Sequence, residues 1–424
     1  MLQLNIIKEC RQQVIERLSV KNFPDAELRI DRIIALDAKR RELQKAFDDT
    51  KAVSNQLAKQ IGVMIKEGKT AEADKIKMQT AEYKLKEKEY SDELTDVEMQ
   101  LNASLLEIPN LPHSSVPTGK SSEDNEVVSQ WGEVPKLDSD ALCHWDICEK
   151  YDIVDFALGN KITGAGFPVY KGKGAKLQRS LISFFLDRAT ANGFLEVQPP
   201  LMVNEQSALA TGQLPDKDGQ MYFVSEDKLF LIPTAEVPVT NIFRDEILNE
   251  KDFPVKRCAY SQCFRREAGS YGKDVRGLNR LHQFDKVEIV VVEHPDRSYE
   301  QLEQMKAHVS GLLESLELPY RILRLCGGDM SFTSALTFDF EVFSAAQGRW
   351  LEVSSVSNFE TFQSNRMKLR FKNSEGKNSL AHTLNGSALA LPRIVAALLE
   401  NNQTKEGIRI PKALQPYTGF DILY

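Results

Sequence analysis

Residues able to do chemistry are concentrated between positions 263 and 288, in a pattern of strand, glycine-rich turn and strand. Phe284, Lys286 and Glu288 alternate along the second strand and therefore share one face. An arginine binds phosphate oxygens through its planar fork, an aromatic ring stacks on a base, and a carboxylate binds an amine. This face therefore suits a nucleoside triphosphate beside a small cationic group, although an exposed, salt-bridged hairpin would show the same charge pattern. The arginines of the segment are Arg265, Arg266, Arg276 and Arg280.

Composition narrows the class of protein. The chain has 424 residues, room for about two or three domains. Its net charge of −7 gives no overall basic field, so an RNA contact would need a local patch. The pairs Cys143/Cys148 and Cys258/Cys263 are spaced too widely for a zinc knuckle, and His144 does not complete a ligand set. We therefore expect reduced thiols and no zinc.

Targeting signals are not evident either. The first residues lack a basic region followed by an apolar run, which is the pattern of a secretory signal. No apolar run approaches the ~20 residues that a membrane-spanning helix needs. We expect a soluble, cytoplasmic protein.

The first quarter of the chain has the spacing of a helical hairpin. Residues 1–24 are predicted to form one short helix that ends at Asn22-Phe23-Pro24. Apolar residues three and four positions apart then predict two helices of roughly 40 residues, between about 26 and 107, that turn at Gly68-Lys69-Thr70. At ~1.5 Å per residue this antiparallel coiled coil is about 60 Å long. Its predicted seam consists of Ile33, Leu36, Leu43, Phe47, Leu57, Ile61 and Met64, then Ile76, Tyr83, Tyr90, Leu94, Val97 and Leu101.

Basic residues follow the second helix of this hairpin. Lys77, Lys84 and Lys88 share one face. Such a face is usually the solvated side of a coiled coil, but it can also follow a chain of RNA phosphates, where each lysine displaces counterions. The spacing alone does not decide between the two interpretations.

The end of the hairpin marks a domain boundary. A proline-containing segment, 108–117, ends the second helix because proline cannot continue it, and polar residues follow at 121–126. A linker at about 108–130 therefore divides an N-terminal domain, 1–110, from a second domain, 111–424.

The second domain reads as α+β. An amphipathic helix over Ala175–Asn192 leads into a strand, Gly193–Val197, and then Pro199-Pro200, which suits a sheet edge or an interface. Further helices are predicted at Ser298–Glu314 and Ser387–Asn401. Most of the other strands have no helix between them, so the sheet should be mostly antiparallel. The predicted strands are Leu229–Ile232, Arg257–Gln262, Lys286–Val292, Arg321–Leu325, Phe338–Phe343 and Trp350–Ser354.

Six short motifs occur one after another along the second domain. They are Thr211-Gly212-Gln213-Leu214-Pro215, Thr234-Ala235-Glu236, Phe264-Arg265-Arg266-Glu267, His282-Gln283-Phe284-Asp285-Lys286-Val287-Glu288, Glu352-Val353-Ser354-Ser355 and His382-Thr383-Leu384-Asn385-Gly386-Ser387. Together with the N-terminal hairpin, they make the chain resemble the bacterial-type seryl-tRNA synthetases, a family of class II aminoacyl-tRNA synthetases. The resemblance implies a class II catalytic domain on an antiparallel sheet, with an N-terminal antiparallel coiled-coil arm. It also implies a homodimer formed through the helix and strand at 175–200.

The resemblance assigns roles in binding ATP. Arg265 matches the arginine that holds the α-phosphate, Phe284 the ring that stacks on adenine, and Arg393 the arginine on the other face of the base, which also reaches the γ-phosphate. Arg280 is directed at the pyrophosphate part, and Arg265 and Arg393 would stabilise the charge of the transition state. Glu267 would hold the adenine amino group or an arginine, and the Leu281 backbone would meet the base edge. The full implied set is Arg265, Arg266, Glu267, Arg280, Leu281, Phe284, Glu352, Val353, Ser354, Ser355 and Arg393, with Mg²⁺ held through ATP by Glu352 and Ser355.

The resemblance also assigns a serine pocket. Its residues are Thr234, Ala235, Glu236, Glu288 and Ser387. Two carboxylates suit a substrate that carries an ammonium and a hydroxyl. A site that hydrogen-bonds a hydroxyl strongly rejects an analogue lacking it, so serine could be chosen over alanine. Each acid alone would more often be a structural salt bridge, but their register with the arginines favours the site.

The implied reaction is serine–tRNA ligation. The serine carboxylate attacks the α-phosphorus in line, which needs positioning and charge stabilisation rather than a general base. The seryl group then passes to the 3′-hydroxyl of the terminal adenosine of tRNA(Ser). The arm would hold the long variable arm of that tRNA by backbone and shape, through residues such as Lys77, Lys84 and Lys88. Charging of tRNA(Sec) is expected as well.

Two departures from the family pattern stand out. The chain has Glu341-Val342-Phe343-Ser344-Ala345 where Glu-Val-Trp-x-Pro is usual, which could loosen a strand edge. Pro392 precedes Arg393 where glycine is common, and proline is acceptable in a first helical turn.

Two other functions compete with the ligase. An enzyme that loads amino acids onto a carrier protein would share the catalytic domain but lack the hairpin. An inactive, RNA-binding paralogue would be expected to lose Arg265, Glu267, Glu288 or Arg393, and all four are present.

Overall fold

A computed structural model describes residues 1–216, 219–267 and 276–424. The glycine-rich turn expected after Glu267, with Gly269 and Gly272, lies outside the described residues.

The helices of the described residues alternate with short strands in the second half of the chain. They are α1 (Leu4–Glu9), α2 (Arg11–Val20), α3 (Ala26–Lys66), α4 (Thr70–Leu106), α5 (His144–Lys150), α6 (Phe156–Ile162), α7 (Gly172–Ala191), α8 (Glu205–Thr211), α9 (Glu236–Asn241), α10 (Ser298–Ser315), α11 (Phe362–Met367), α12 (Leu391–Asn401) and α13 (Gln415–Thr418). None of these helices is both long enough and apolar enough to cross a membrane.

The strands begin after the hairpin. They are β1 (Glu126–Trp131), β2 (Val154–Asp155), β3 (Val169–Tyr170), β4 (Leu195–Glu196), β5 (Met202–Val203), β6 (Phe223–Val224), β7 (Leu229–Leu231), β8 (Ile247–Asn249), β9 (Val255–Phe264), β10 (Gln283–Glu293), β11 (Tyr320–Arg324), β12 (Leu336–Ser344), β13 (Arg349–Asn358), β14 (Arg370–Lys372), β15 (Asn378–Leu380), β16 (His382–Ala390), β17 (Ile408–Arg409) and β18 (Ile422–Leu423). The strands predicted from the sequence at 229–232, 257–262, 286–292, 321–325, 338–343 and 350–354 correspond to β7 and β9–β13, whereas β1 and β16 were not predicted.

The contacts divide the chain into two units. One comprises residues 2–19 and 23–109, and the other comprises residues 110–424 together with Met1 and residues 20–22.

The first unit is built on the long helices α3 and α4, which pack along each other as an antiparallel pair. Ile33, Leu43 and Leu101 of the predicted seam are buried, as are Ser54 and Thr80 on the same side. Apolar side chains at this spacing bury a narrow stripe between two helices, which is the coiled-coil arrangement. The helical hairpin predicted from the sequence is therefore confirmed.

The expected single helix over residues 1–24 is wrong. The structure has α1 and α2, separated at Cys10, whose φ of −119° and ψ of 33° are not helical. Long-range ion pairs with α3 accompany the break. Lys8 Nζ lies 3.0 Å from Asp37 Oδ2, and Arg11 Nε lies 2.7 Å from Asp31 Oδ1. These pairs join residues at least twenty positions apart, so helical periodicity does not reveal them.

The second unit is organised around an eight-stranded sheet in the order β1-β11-β12-β13-β16-β10-β9-β4. Its neighbours are antiparallel except β4, which runs parallel to β9 at one edge. Alternate side chains such as Val287, Ile289 and Phe340 enter the main apolar core, and helices α7, α10 and α12 pack against the sheet. The predicted α+β class with a mostly antiparallel sheet is confirmed.

The opposite side of this sheet, here called the polar face, carries several of the candidate site residues. Glu288 lies opposite Ser387 on the neighbouring strand, and Ser355 lies opposite Asp339. A register shift in β13 pairs Ser354 with Phe340 but Glu352 with Glu341. Such a bulge adds one residue to a strand and reverses the alternation beyond it. Glu352 and Ser355 therefore point to the same side although they are three positions apart.

The helix predicted over Ser387–Asn401 is wrong at its start. Strand β16 runs to Ala390, and α12 begins only at Leu391. The apolar residues of 384–389 fit a buried strand or a buried helix, and hydrogen bonding to β10 and β13 on both sides selects the strand. Pro392 lies in the first turn of α12, as expected from its tolerance there.

Candidate active site

Strand β10 carries Phe284, Lys286 and Glu288, which the sequence predicts to share one face. Phe284 and Lys286 line one cavity, and Lys286 Nζ lies 2.6 Å from Glu288 Oε2. The shared face predicted from period-two spacing is therefore present. The register between β10 and β16 shifts between Lys286 and Glu288, so that Glu288 is opposite Ser387 and Lys286 is opposite Ala390.

Two buried carboxylates, Glu236 and Glu288, are joined through shared hydrogen-bond partners, and their surroundings are here called the carboxylate pocket. Thr234 Oγ1 donates a hydrogen bond of 2.8 Å to Glu288 Oε2. Asn385 Nδ2 lies 2.9 Å from both Glu288 Oε1 and Glu236 Oε2, so one amide bridges the two acids. Glu236 is placed by the start of α9, where its N–H donates to Thr234 Oγ1 at 3.2 Å, and Ala235 before it is fully buried. The structure thus brings the predicted serine-pocket residues together.

The sequence analysis missed the residues that hold this pair. Gln363 Nε2 donates to Glu236 Oε1 at 2.6 Å, and Thr383 Oγ1 donates to Gln363 Oε1 at 2.7 Å. All three side chains are buried. Asn385 stands two positions before Ser387, so a strand assignment for 382–390 would have placed it on the same face. Gln363 lies on the short helix α11 and has no local signal.

The electrostatics of the pocket centre on Glu236. Burial, and then the neighbouring Glu288 carboxylate, raise the pKa of Glu236 to about 7. The hydrogen bond from Gln363 and the charges of Lys286 and Arg265 act in the opposite direction. Bringing a cation between the two acids would relieve their repulsion, so the pocket is suited to an ammonium group.

Next to the carboxylate pocket lies a cavity rich in arginine. Arg265 Cζ lies 5.2 Å from the ring centroid of Phe284, and Lys286 and Ser387 connect the cavity to the carboxylate pair. Arg393, in the first turn of α12, donates from Nε to the Asn279 carbonyl at 3.0 Å and from Nη1 to the Glu352 carbonyl at 2.6 Å. The cavity is lined by Arg265, Glu267, Leu278, Asn279, Arg280, Leu281, Phe284, Lys286, Glu352, Val353, Ser354, Ser387, Ala390, Pro392 and Arg393.

Some predicted ATP residues are placed differently from the rest. Glu267 contacts Arg280, with 2.7 Å between Oε2 and Nε, rather than an arginine of its own strand. Arg266 and Ser355 are not among the described residues that line the cavity. The Arg266 N–H instead donates to the Gln220 carbonyl at 2.9 Å.

The region of Glu352 and Ser355 is rich in hard oxygen donors. Ser355 makes a hydrogen bond to the Asp339 carboxyl, whose pKa is raised well above its usual range by burial and then by Glu352. Oδ1 of Asp339 is buried and has no hydrogen-bond partner among the described residues. These residues fit a cation bound mainly by phosphate oxygens, because Mg²⁺ usually takes only one or two carboxylates from the protein. No described group of three or more histidine, cysteine or acidic side chains could hold a metal alone.

Phe343 and Ala345, the two residues of β12 and its end that depart from the family pattern, both make contacts in the structure. The ring of Phe343 meets Trp350 edge-on at 5.1 Å between centroids. The Ala345 N–H donates to Asn401 Oδ1 at 2.9 Å, a bond that proline could not make. Both residues therefore take part in contacts at this end of β12.

On the arm, the three candidate lysines are exposed. Lys77 Nζ pairs with Asp74 Oδ1 at 2.8 Å, whereas Lys84 and Lys88 form no ion pair among the described residues. Exposure of this kind is compatible with either interpretation of the basic face.

Comparison with known proteins decides the family. A model of the "Seryl-tRNA synthetase N-terminal domain" matches residues 1–112, and a model of the "tRNA synthetase class II core domain (G, H, P, S and T)" matches residues 222–402. The serine–tRNA ligase of Salinibacter ruber is 50% identical over 422 residues, which cover 99% of this chain and 98% of that protein. The chain belongs to the seryl-tRNA synthetase family.

Structural comparison agrees with membership of the seryl-tRNA synthetases. The crystal structure of seryl-tRNA synthetase from Pyrococcus horikoshii, complexed with ATP, superposes with a TM-score of 0.91 at 32% identity and covers 100% of this chain and 99% of that one. A second serine–tRNA ligase, from Desulfitobacterium hafniense, is 45% identical over the full length of both chains. The family predicted from the ordered motifs, its class II fold and its helical arm are confirmed.

Proposed function

We propose that this chain activates L-serine with ATP, forming seryl-adenylate and pyrophosphate, and transfers the seryl group to the 3′-terminal adenosine of tRNA(Ser). The observation that carries the proposal is the adjacency of two sites on one polar face. A buried carboxylate pair suits the serine ammonium and hydroxyl, and an arginine-lined cavity beside it suits the triphosphate. Lys286 and Ser387 lie at the junction of the two.

The serine half-site consists of Thr234, Ala235, Glu236, Glu288 and Ser387. Glu236 and Glu288 bind the ammonium, and Glu288 with Thr234 offers hydrogen-bonding partners for the hydroxyl. Alanine lacks the hydroxyl and gains no such hydrogen bond, so the pocket selects serine over alanine by a hydrogen bond rather than by size.

The nucleotide half-site consists of Arg265, Arg266, Glu267, Arg280, Leu281, Phe284, 352–355 and Arg393. Adenine stacks on Phe284 under Arg393, and Arg265 holds the α-phosphate next to the serine carboxylate. Glu352 and Ser355 are the residues that would hold Mg²⁺, which when bound with ATP neutralises charge on the phosphate oxygens. The residues of this chain supply orientation and positive charge, which suffices for attack by a carboxylate that is already ionised.

The remaining parts of the proposal concern partners. The region 1–110, with its hairpin at 26–107, binds the tRNA, and 111–424, after a linker at about 108–130, forms the catalytic domain. The same arm serves tRNA(Sec), and Lys77, Lys84 and Lys88 contact its phosphates. The chain acts as a cytoplasmic homodimer that associates through residues 175–200, where β4 is an edge strand and Leu195 is exposed.

The decisive experiment is serine-dependent ATP–pyrophosphate exchange, run beside charging of tRNA(Ser), on the full chain and on a version in which a short linker replaces residues 30–104. We expect exchange in both proteins and charging only in the full chain. An enzyme that loads a carrier protein would exchange but not charge tRNA. Absence of exchange, or exchange supported equally by alanine, would contradict the serine-activation proposal.

A further inference from the structure

The segment that follows the undescribed residues 268–275 enters the arginine-lined cavity. Within it, Leu278, Asn279, Arg280 and Leu281 all line that cavity. The Asn279 carbonyl also accepts the hydrogen bond from Arg393 Nε. The backbone position of 276–281, here called the 276–281 segment, therefore determines where several nucleotide-facing groups lie.

A buried histidine outside the proposed site holds this segment. The Leu278 N–H donates to Nε2 of His144 at 2.9 Å, and Nδ1 of His144 lies 2.7 Å from Glu400 Oε1. Because Nε2 accepts a hydrogen bond, the ring proton must be on Nδ1, which then donates to Glu400. His144 thus links helix α5 to α12 on one side and to the segment on the other.

Glu400 is itself fixed as a carboxylate. It accepts from the His144 N–H at 3.0 Å and from Gln347 Nε2 at 3.0 Å, and the Ser344 hydroxyl donates to its other oxygen. Burial raises the pKa of Glu400, but the hydrogen bonds from His144 and Ser344 outweigh it and the pKa lies below its usual value. The anion therefore accepts the proton of Nδ1 and keeps the lone pair of Nε2 directed at Leu278.

A second side chain, Gln347, also links Glu400 to the 276–281 segment. Gln347 Oε1 accepts from Asn279 Nδ2 at 3.0 Å, so Glu400 is linked to both Leu278 and Asn279. All the side chains of this network except Gln347 and Asn279 are fully buried. A closed network of this kind restricts its members more than separate hydrogen bonds do.

The neighbouring residues of α5 and of the segment fit the same arrangement. Arg276 Cζ lies 4.4 Å from the ring centroid of Trp145, which directly follows His144. Gly277 has a φ of +66°, and a Cβ atom there would be 2.2 Å from Nε2 of His144. Only glycine permits both this conformation and so close an approach. Two successive residues of α5 therefore contact residues 276–278.

We propose that His144 is a positioning residue for the nucleotide half-site: through its hydrogen bond to the Leu278 N–H it holds the 276–281 segment in the conformation that binds ATP. This inference rests on the proposed function and deepens it. His144 does not touch the cavity and takes no part in serine binding. Its loss therefore alters the nucleotide half-site selectively.

Two substitutions separate the two hydrogen bonds of His144. In His144→Asn the amide nitrogen replaces Nδ1, so the bond to Glu400 remains and the Leu278 N–H loses its acceptor. In His144→Gln the amide oxygen can replace Nε2, so the acceptor for Leu278 remains. A buried donor left unpaired costs about 1–3 kcal/mol, which corresponds to roughly 5- to 150-fold. We expect His144→Asn to raise the KM for ATP by about ten-fold or more and to change the KM for serine less than two-fold, with His144→Gln largely restoring the KM for ATP.

The control is His308→Asn, which removes another largely buried imidazole, one that is hydrogen-bonded to Asn192. This variant should lower the melting temperature without a selective change in the KM for ATP. A purely structural role of His144 would give the same result, or would raise both KM values together, and either outcome would overturn the proposal.

A second variant keeps the test decisive if His144→Asn folds poorly. Gly277→Ala should raise the KM for ATP by the same route, because its Cβ atom would meet Nε2 of His144 and displace the Leu278 N–H, and it should change the KM for serine less than two-fold. An unchanged KM for ATP in Gly277→Ala, or an equal rise of both KM values, would contradict the proposal. Equilibrium binding of ATP to each variant measures the positioning effect without the exchange reaction. Absence of serine-dependent exchange in the wild-type chain would refute the proposed function, and the ATP-binding comparison would still test the role of His144.

Discussion

At the scale of single residues, the pocket gives Glu236 an unusual titration. Burial and Glu288 raise its pKa to about 7 from an ordinary value of 4.5. Between about pH 4.5 and pH 7, Glu236 therefore keeps its proton in the folded chain but has lost it in the unfolded chain. This residue stabilises the fold below about pH 4.5, and that stabilisation is lost as the pH rises through about 7.

Serine binding should depend on the same proton. The ammonium of the substrate favours the carboxylate form of Glu236, so the protonated enzyme binds serine weakly. We expect the KM for serine to fall roughly ten-fold between pH 6 and pH 8 and then to level off. Pyrophosphate exchange at constant ionic strength measures this profile. In Glu236→Gln the profile should be flat, and a wild-type KM for serine that does not vary with pH would show that Glu236 is not its determinant.

Arg265 should be needed for its shape and not only for its charge. Its guanidinium can hold two non-bridging oxygens of the α-phosphate, which the single ammonium of lysine cannot. We expect Arg265→Lys to reduce the rate of pyrophosphate exchange about 10²- to 10³-fold, as for loss of one group that stabilises transition-state charge. Arg257→Lys, on the same strand β9 but away from the cavity, is the matched control. Equal rates for the two variants would exclude the assigned role.

At the scale of elements, the arm offers a test of its basic face. Lys84 and Lys88 are exposed on α4 and form no ion pair among the described residues, so their charges are available to phosphates. We expect the double substitution Lys84→Ala and Lys88→Ala to raise the KM for tRNA(Ser) and to lower the salt dependence of binding by about one unit of log–log slope per lysine. Exchange without tRNA should be unchanged.

The control for the arm is Lys377→Ala, an exposed lysine of the second unit that pairs with Glu375 at 2.8 Å. It removes a positive charge of the same kind from another surface. If both variants weaken tRNA binding equally, the effect is one of net charge, and the basic face of α4 has no special role.

At the scale of the whole molecule, the sheet has two edges that differ in their expected partners. Leu195 on β4 and Val127 on β1 are both exposed apolar residues at opposite ends of the strand order. Only the β4 edge belongs to the segment 175–200 that we assign to the dimer. We expect light scattering to give about twice the chain mass of 47.9 kDa for the wild type and for Val127→Asp, and about the chain mass for Leu195→Asp. A dimer in both variants, or in neither, would contradict the assignment.

Local patterns in the sequence predicted a large part of this protein. The seam through Ile33 and Leu43 follows from helical spacing, and the shared face of Phe284, Lys286 and Glu288 follows from strand spacing. The order of the motifs predicted the family. These features depend only on positions that are near one another along the chain, or on the residue types that the chemistry requires.

Other features were decided by tertiary structure. Residues 387–390 continue strand β16, in which residues 384–386 pair with both β10 and β13 and in which Ser387 and Ala390 pair with β10, although their apolar pattern also fits a helix. Gln363 meets Glu236 across 127 positions, and His144 meets Glu400 across 256. Hydrogen-bond partners so far apart leave no periodic trace, because periodicity records only which side of an element is buried. The sequence by itself determined the family and which groups we assign to the chemistry, and the fold decided which buried side chains hold those groups in place.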